Sequence, residues 1–558
     1  MIGQVMIALE IRKEEGEKVE RGVDRRNLLP WLRGIFMSEA NKASPVQIVK
    51  EQTRTTSGTE VQEKMIAAAR VFSDILRPTY GPRGLDKMLY KTDGNRAVTN
   101  DGARIVSELL VKHPAAKMMV SMGETQEEIS GDGVTGTLLV CGSLLEEASR
   151  LMSRGLHPLT IVEGYRKSLE ISIRTVDARS RPLNEDDLER VAHTAMTGKS
   201  ANPDFFAPLL VESLEVLKQS GHAISTESFG MTKTGVGTQI ESRLIRGIQL
   251  KKRVPSADSP NNLENANVLV IRGDIKIRKM TRTAEVRISD SDELDSFIQA
   301  EMERKMKISS TIERSSADLV LCGGEIDRDI LHELSRSGTL VIQELDSSEI
   351  EQVALCTNSI VVDSVMDIDD SMLGKAGAVR WVRRPSTDQT EDTIEIDDCP
   401  SPRLVSFAIS GTSDTSTEET IRCIHDAIRS ILACEQDPRV VTGAGSIYAR
   451  IANDIRNASL LESGRERLAM EAYARALETI PFVLATNAGR EGLDAVLEIR
   501  TKSRDEVKEE FGVSEDGTIS IIEEVLHPAL STISSLEAAV ETTVAMLRID
   551  QVVSARGD

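Results

Sequence analysis

The segment Gly131-Asp132-Gly133-Val134-Thr135-Gly136-Thr137 is the part of this chain best suited to phosphate chemistry, and the helix-like run LLVCGSLLEEASRLM follows it at once. Glycines at 131, 133 and 136 let backbone come close to a ligand and adopt positive φ. Free amides at the start of the next helix would attract a phosphate. Asp132 could carry magnesium through one carboxylate oxygen, and Thr135 could donate a hydroxyl. The same spacing also describes a tight turn ahead of a helix, because short glycine motifs are common. There is no GxxxxGK[ST] loop, and the catalytic-loop and metal-binding signatures of protein kinases are missing.

Three further segments carry candidate groups. Thr79-Tyr80-Gly81-Pro82-Arg83-Gly84 is a glycine loop at a helix C-terminus, where the dipole does not favour anions. A nucleotide there would be gripped by backbone and by Arg83. Asn100-Asp101-Gly102 reads, by itself, as a turn. Asp426 lies in EETIRCIHDAIRSIL, off the apolar stripe of Ile421, Ile424, Ile428 and Ile431. The plain expectation for such a residue is a solvated side chain.

The elements that must position these groups follow from periodicity. TEVQ at Thr59 fits a capping box, and Val61, Met65, Ala68, Ala69, Phe72, Ile75 and Leu76 recur at helical spacing. Pro78 and Gly81-Pro82-Arg83-Gly84 end that helix. KMLY and AVTN read as a hairpin around Asp93-Gly94, with a new helix near Ala103. Residues 115–180 read as long helices broken at 131–133 and at Leu156-His157-Pro158. Short β runs follow (LIRGIQL, NVLVIRG, AEVRISD), then DLVLCG, LVIQEL and SIVVD alternating with helices, which predicts an α/β module. Helices return from Glu418 to Arg500. FGVSEDGTISII reads as a hairpin before a last helix ending in MLRID. The order helical, α/β, helical suits one domain inserted into another. Residues 1–44 read as an extra helical arm or as a dispensable start, with Met37 beginning the domain.

Composition bounds the function. Across 558 residues, 89 acids against 68 bases give a net charge of -21, so a phosphate backbone is a poor general partner. Only 3% of residues are aromatic, which argues against stacking platforms for single-stranded nucleic acid. The six cysteines (141, 322, 356, 399, 423 and 434) form no CxxC pair, so we expect free thiols in a reducing compartment. No apolar run approaches a bilayer span, and acids follow the apolar N-terminal stretch too soon for a signal peptide. A soluble cytoplasmic protein is expected.

Taken together and in order, TYGPRGLDKML, VTNDGA, HPAAKMMV, GDGVTGT, HPLTIVEGYR, the helix around His425-Asp426-Ala427 and the terminal MLRID resemble the group II chaperonins. That is the archaeal thermosome and eukaryotic cytosolic chaperonin family. The resemblance runs from about Pro45 to the C-terminus and is looser between 200 and 410, as in a divergent member. It implies a multidomain α+β subunit. A mostly helical equatorial ATP-binding domain would take 45–184 and 440–558. A small α/β intermediate hinge domain would take 185–253 and 404–439. An α/β apical substrate and lid domain with a helical protrusion would take 254–403. The implied cofactors are ATP and Mg2+. The implied partners are unfolded or partly folded polypeptides, and copies of itself or paralogous subunits in a double ring.

The resemblance also implies roles. Thr79, Tyr80, Gly81, Pro82, Asn100, Gly131, Gly133, Val134, Thr135, Gly136, Gly443, Ala444, Gly445 and His527 fall at nucleotide-binding positions. Asp132 falls at the magnesium ligand, and Asp101 and Asp426 at the two carboxylates that position and activate water. Leu294, Phe297, Ile298, Met302 and Met306 form an apolar face in the segment 284–314, the length of the family's lid protrusion. On pattern alone that face packs on its own domain; the resemblance adds contact with substrate or neighbouring lids. This sequence also departs from the family. Val134 and Gly136 stand where hydroxyl residues are usual, Ala444 replaces a glycine, His527 replaces an acid, and Ser410-Gly411-Thr412-Ser413 replaces RGGT. Two lost charge-assisted bonds, at about 1.5–3 kcal/mol each, would lower affinity or rate. Three readings therefore stand side by side: an ATP-driven folding machine, a weakly hydrolysing structural or regulatory subunit of a mixed ring, and an unrelated small-molecule kinase that forms no ring.

Overall fold

The computed structural model describes residues 55–57, 59–90, 96–109, 113–256, 259–277, 291–384, 391–504 and 509–553. It divides into a compact unit of Ser57–Gln551 and a second unit made of the two chain ends. The expected N-terminal arm lies outside the described residues.

Helix α1 (Thr59–Leu76) buries Val61, Met65, Ala69, Phe72 and Leu76, the stripe its periodicity predicts. Strands β1 (Lys87–Tyr90) and β2 (Arg96–Thr99) pair antiparallel; the connecting 91–95 lie outside the described residues. Four helices follow: α2 (Gly102–Glu108), α3 (Pro114–Ser130), α4 (Val134–Ser153) and α5 (Pro158–Arg179). Pro158 begins α5 as its first residue, where a missing N–H costs nothing, and His157 caps the Leu159 amide. Helix α4 is buried almost all round, as expected of a central helix.

The chain then leaves this layer through β3 (Arg181–Pro182), α6 (Asp187–Met196) and α7 (Pro203–Gln219). LIRGIQL is two strands, not one. After β4 (Phe229–Val236), β5 (Arg243–Ile245) joins one sheet and β6 (Ile248–Lys251) another. Gly247 sits at the break, where any Cβ would collide with the Ile396 carbonyl. Strand β7 (Asn262–Ile271) contains NVLVI; AEVRISD lies outside the described residues. Helix α8 (Ser291–Arg314), β8 (Leu319–Cys322), α9 (Arg328–Arg336), β9 (Leu340–Ile342) and α10 (Ser347–Thr357) then alternate as predicted.

SIVVD is not a strand; its Val362 forms only an isolated bridge to Ile271. Two longer strands do form, β10 (Gly374–Arg384) and β11 (Glu391–Asp397). The six-stranded order is β9-β8-β7-β10-β11-β6, parallel from β7 to β9 and antiparallel elsewhere. Its parallel strands bury both faces: Val268, Val270 and Leu319 pack on one core, Leu269, Ile271 and Val320 on the other.

Strand β12 (Val405–Gly411) is buried throughout and lies between β4 and β5. Helix α11 (Asp414–Gln436) packs its isoleucines with α6 and α7 into one core. Strand β13 (Arg439–Thr442) interrupts the predicted helical run. Helices α12 (Ser446–Ser459), α13 (Glu466–Leu477), α14 (Thr479–Asn487) and α15 (Gly492–Lys502) follow. The expected hairpin is β14 (Phe511–Val513) with β15 (Ile519–Ile521). Strand β16 (Leu526–Pro528) and helix α16 (Ala529–Leu547) close the unit. Helices α4, α5, α13 and α16 pack together, so the two chain halves share one helical layer. Sheet β16-β13-β3 ties it to both ends of the middle segment. Among the described residues, no helix is long and apolar enough to cross a membrane, and all six cysteines are free and buried.

Candidate functional site

Gly131 ends α3 at φ +69, and Gly133 opens α4 at φ +87; both values belong to glycine. Between them, Asp132 is pinned through its carbonyl, which accepts from the Ser130 hydroxyl at 3.0 Å and from Gln126 Nε2 at 3.4 Å. No side chain caps the first-turn amides of α4 at its N-cap, so they remain available to an anion. Val134 turns away from this mouth: it is buried, and its Cγ1 would lie 3.2 Å from a Cβ placed on Gly123. Thr135 packs against Gly102.

The loop 79–84 is fixed from several sides. The Thr79 hydroxyl donates to the Leu76 carbonyl at 2.8 Å, closing the end of α1. Asn487 Nδ2 on α14 donates to the Arg77 and Tyr80 carbonyls, each at 2.8 Å. Gly81 takes φ +88 against Leu484, Pro82 and Arg83 are exposed, and Gly198 packs on Gly81 and Pro82. Asn100 donates to the carbonyl of that same Gly198.

Asp101 caps α2. Its two carboxylate oxygens accept from the Ala103 and Arg104 amides at 3.1 and 3.4 Å, which orients the group. Arg422 on α11 stands 3.7 Å away. Asp426, one turn further along α11, is 3% exposed and not solvated as its position off the apolar stripe suggested. The reason is Lys199, which the sequence reading passed over. Its Nζ lies 2.8 Å from Asp426 Oδ2 and 3.4 Å from Asp132 Oδ1. Those partners are 227 and 67 positions distant, so no local pattern marks this lysine.

Charge states follow from the packing. Burial favours neutral Lys199, but Asp426, Asp132 and Asp101 outweigh it and hold an ammonium well above the usual lysine range. Burial works against the Asp132 carboxylate, yet Lys199, His527 and the Gly133 amide keep it below the ordinary carboxylate range. Burial lifts the Asp426 carboxyl to about 7; Lys199 opposes the rise and Asp101 adds to it.

A cavity opens beside these groups. Tyr80, Asp132, Gly133, Gly136, Tyr448 and His527 are among its walls. Burial holds the His527 imidazole below its usual pKa, against an upward pull from Asp132. The ring covers Gly443, where a Cβ would lie 2.6 Å from it. Gly445 opens α12 at φ +79, and Ala444 takes φ +53, with its methyl directed at Gly512. Ser410 to Ser413 lie at the end of β12 and the start of α11. Asp132 suits magnesium held jointly with phosphate oxygens, which needs only one or two protein carboxylates. Among the described residues, no cluster of three or more His, Cys, Asp or Glu side chains would hold a metal without such help.

None of the α8 residues lines this cavity; Phe297, Ile298, Met302 and Met306 are exposed instead of being packed away on their own domain. The side chain of Leu294 lies outside the described residues. Ile308 and Ile312 anchor the other end of α8.

The TCP-1/cpn60 chaperonin family matches over residues 72–557. The thermosome subunit alpha of Aeropyrum pernix is 33% identical over 527 residues, 91% of this chain and 94% of that protein. The thermosome subunit beta of Archaeoglobus fulgidus is 32% identical, covering 92% and 96%. The thermosome subunit of Methanopyrus kandleri is 32% identical, covering 93% and 96%. With most of its length matched at about one residue in three, the chain belongs to the TCP-1/cpn60 chaperonin family, as a divergent group II member.

Proposed function

We propose that this chain is an ATP-hydrolysing subunit of a double-ring chaperonin that encloses unfolded polypeptide and closes a built-in lid. The observation that carries the reading is the meeting of Asp426, from α11, with Asp132 and Asp101 around Lys199. Hydrolysis of a phosphoanhydride asks for an in-line water and charge neutralisation more than for covalent chemistry. Asp132 would hold Mg2+ on the phosphates, which supplies that neutralisation. The α4 amides bind phosphate, Asp101 orients water from its capped position, and Asp426 accepts the proton. Because Asp101 and Asp426 come from different layers, hydrolysis depends on how those layers approach.

The same reading assigns the helical layer to an equatorial domain (45–184, 440–558). The β4-β12-β5 sheet with α6, α7 and α11 becomes the intermediate domain (185–253, 404–439). The six-stranded sheet becomes the apical domain (254–403). Exposed apolar side chains on α8 suit contact with substrate or neighbouring lids, and adaptable methionines suit varied partners. The protein works in the cytoplasm, in rings of itself or of paralogues.

Gly136 and His527 favour a second reading, a ring member that hydrolyses weakly. Val134 does not favour it, since its side chain faces the core. ATPase assays of the purified full-length chain beside Asp101→Ala and Asp426→Ala decide between them. The proposal expects turnover that falls about 100-fold or more in either variant. Equal background rates in all three would leave the weak-hydrolysis reading. Negative-stain images without rings in any nucleotide condition would overturn both.

A further inference from the structure

Gly136 lies in the first turn of α4 and presents no side chain to the cavity that Asp132 and Gly133 also line. Tyr80 covers it. A Cβ built on Gly136 would lie 3.4 Å from the Tyr80 hydroxyl and 3.6 Å from ring atom Cε2. The phenol is therefore in van der Waals reach of the point from which a serine or threonine at 136 would extend its own hydroxyl. A Cβ at these distances makes ordinary van der Waals contact with the ring, so the phenol and any hydroxyl carried at 136 would stand side by side in the same part of the cavity.

The ring cannot easily withdraw. The Tyr80 backbone is held by Asn487 on its carbonyl, and its amide donates to Arg77 at 3.4 Å. Among the described residues, the Tyr80 hydroxyl has no hydrogen-bond partner, although it lines a cavity beside a carboxylate and free helix amides. Burial, then Tyr448 and Asp132, push the phenol above its usual pKa, so it stays protonated and remains a donor. A donor without a protein partner at the mouth of a helix N-terminus is suited to an anionic oxygen, with which it would make a short charge-assisted bond.

We infer that the Tyr80 hydroxyl donates to a phosphate oxygen of a bound nucleoside polyphosphate, in place of the hydroxyl that position 136 lacks. Tyr80 and Gly136 thus act as one unit. The inference rests on the reading of this cavity as the ATP site, and it limits how far the glycine at 136 weakens binding.

Calorimetric titration of the full-length chain with Mg2+ and a non-hydrolysable ATP analogue tests it, using Tyr80→Phe, Gly136→Ser and the double variant. Tyr80→Phe is expected to weaken binding on the order of tenfold or more, as for loss of one charge-assisted bond. Its nucleotide-free thermal midpoint stays at the wild-type value, because the hydroxyl has no protein partner to lose. Restoring a hydroxyl at 136 in the double variant recovers most of the affinity, whereas Gly136→Ser alone gains none. Wild-type binding with Tyr80→Phe unchanged overturns the inference and leaves the ATP reading intact. An unrescued double variant, or a Tyr80→Phe chain already destabilised without nucleotide, assigns the tyrosine a packing role and also overturns it. A wild-type chain that binds no nucleotide overturns the ATP reading itself.

Discussion

A carboxyl group lifted to about 7 sits where hydrolysis would need a proton acceptor, and Asp426 owes that to burial opposed by a single lysine. The sign of the consequence is fixed: below that pH the acid is protonated and cannot accept, above it the carboxylate can. Single-turnover hydrolysis measured between about pH 6 and pH 8.5 should rise through neutrality and then level off. Asp426→Asn should abolish the rise along with most of the rate; a flat profile in the wild type would remove Asp426 as the base. Ala444 carries a different strain. A non-glycine residue at φ +53 costs about 1–2 kcal/mol, partly offset by the freedom a glycine loses on folding. Ala444→Gly should therefore stabilise the chain by about 0.5–1 kcal/mol, read from the urea midpoint. Asp132 was legible from its own glycine loop, whereas Asp101 and Asp426 were legible only as members of a familiar constellation. Periodicity by itself made Asp426 a surface residue, because its burial depends on Lys199, and nothing near Lys199 in the chain announces a partner 227 positions away.

At the scale of elements, α11 presents one polar face to the first helical layer. Glu419, Arg422, Asp426 and Arg429 recur at intervals of three and four residues, the spacing of a single helix face. Glu419 accepts from the Thr99 hydroxyl and from Arg104, Arg422 stands by Asp101, and Arg429 reaches Glu127 at 3.3 Å. Glu419 is buried and Arg104 nearly so, and removing one partner of such a pair costs about 3–5 kcal/mol. Glu419→Ala should lower stability by about that amount and slow hydrolysis, because Asp426 sits on the same face. Arg429→Ala, at a more exposed pair, should cost about 0.5 kcal/mol or less. Denaturant titration of both variants checks the contrast. Most helices were legible because their apolar stripes repeat cleanly. Strand β10, GKAGAVRWVRR, was not: its glycines, lysine and arginines mask a strand whose Ala376, Val379 and Trp381 are buried between two neighbours. SIVVD misled in the opposite way, being apolar enough for a strand but paired only at Val362.

At the scale of the whole molecule, a net charge of -21 repeated in every copy opposes a ring. Screening shortens the reach of that repulsion from about 30 Å at 0.01 M salt to about 8 Å at 0.15 M. Sedimentation should therefore show the assembled fraction rising over that range, and rings that dissociate as salt is first added would contradict this account of the charge. The order helical, α/β, helical was readable along the chain. The sharing of one helical layer by both halves was not, since it rests on pairings such as that of Val440 on β13 with Arg181 on β3, 259 positions apart. That sharing has a consequence during synthesis. The Thr175 hydroxyl on α5 waits for Asp454, 279 positions downstream, and the faces of α4 and α5 that α13 and α16 cover wait with it. At roughly 5–20 residues per second, the wait on the ribosome is about 15–55 seconds. Throughout it the first third of the nascent chain carries uncovered apolar surface, while the strands of the six-stranded sheet are all made within the middle segment. A protein of this design is therefore most prone to aggregate before its last helix is made, the same hazard from which, on the function proposed above, its finished form would shield others.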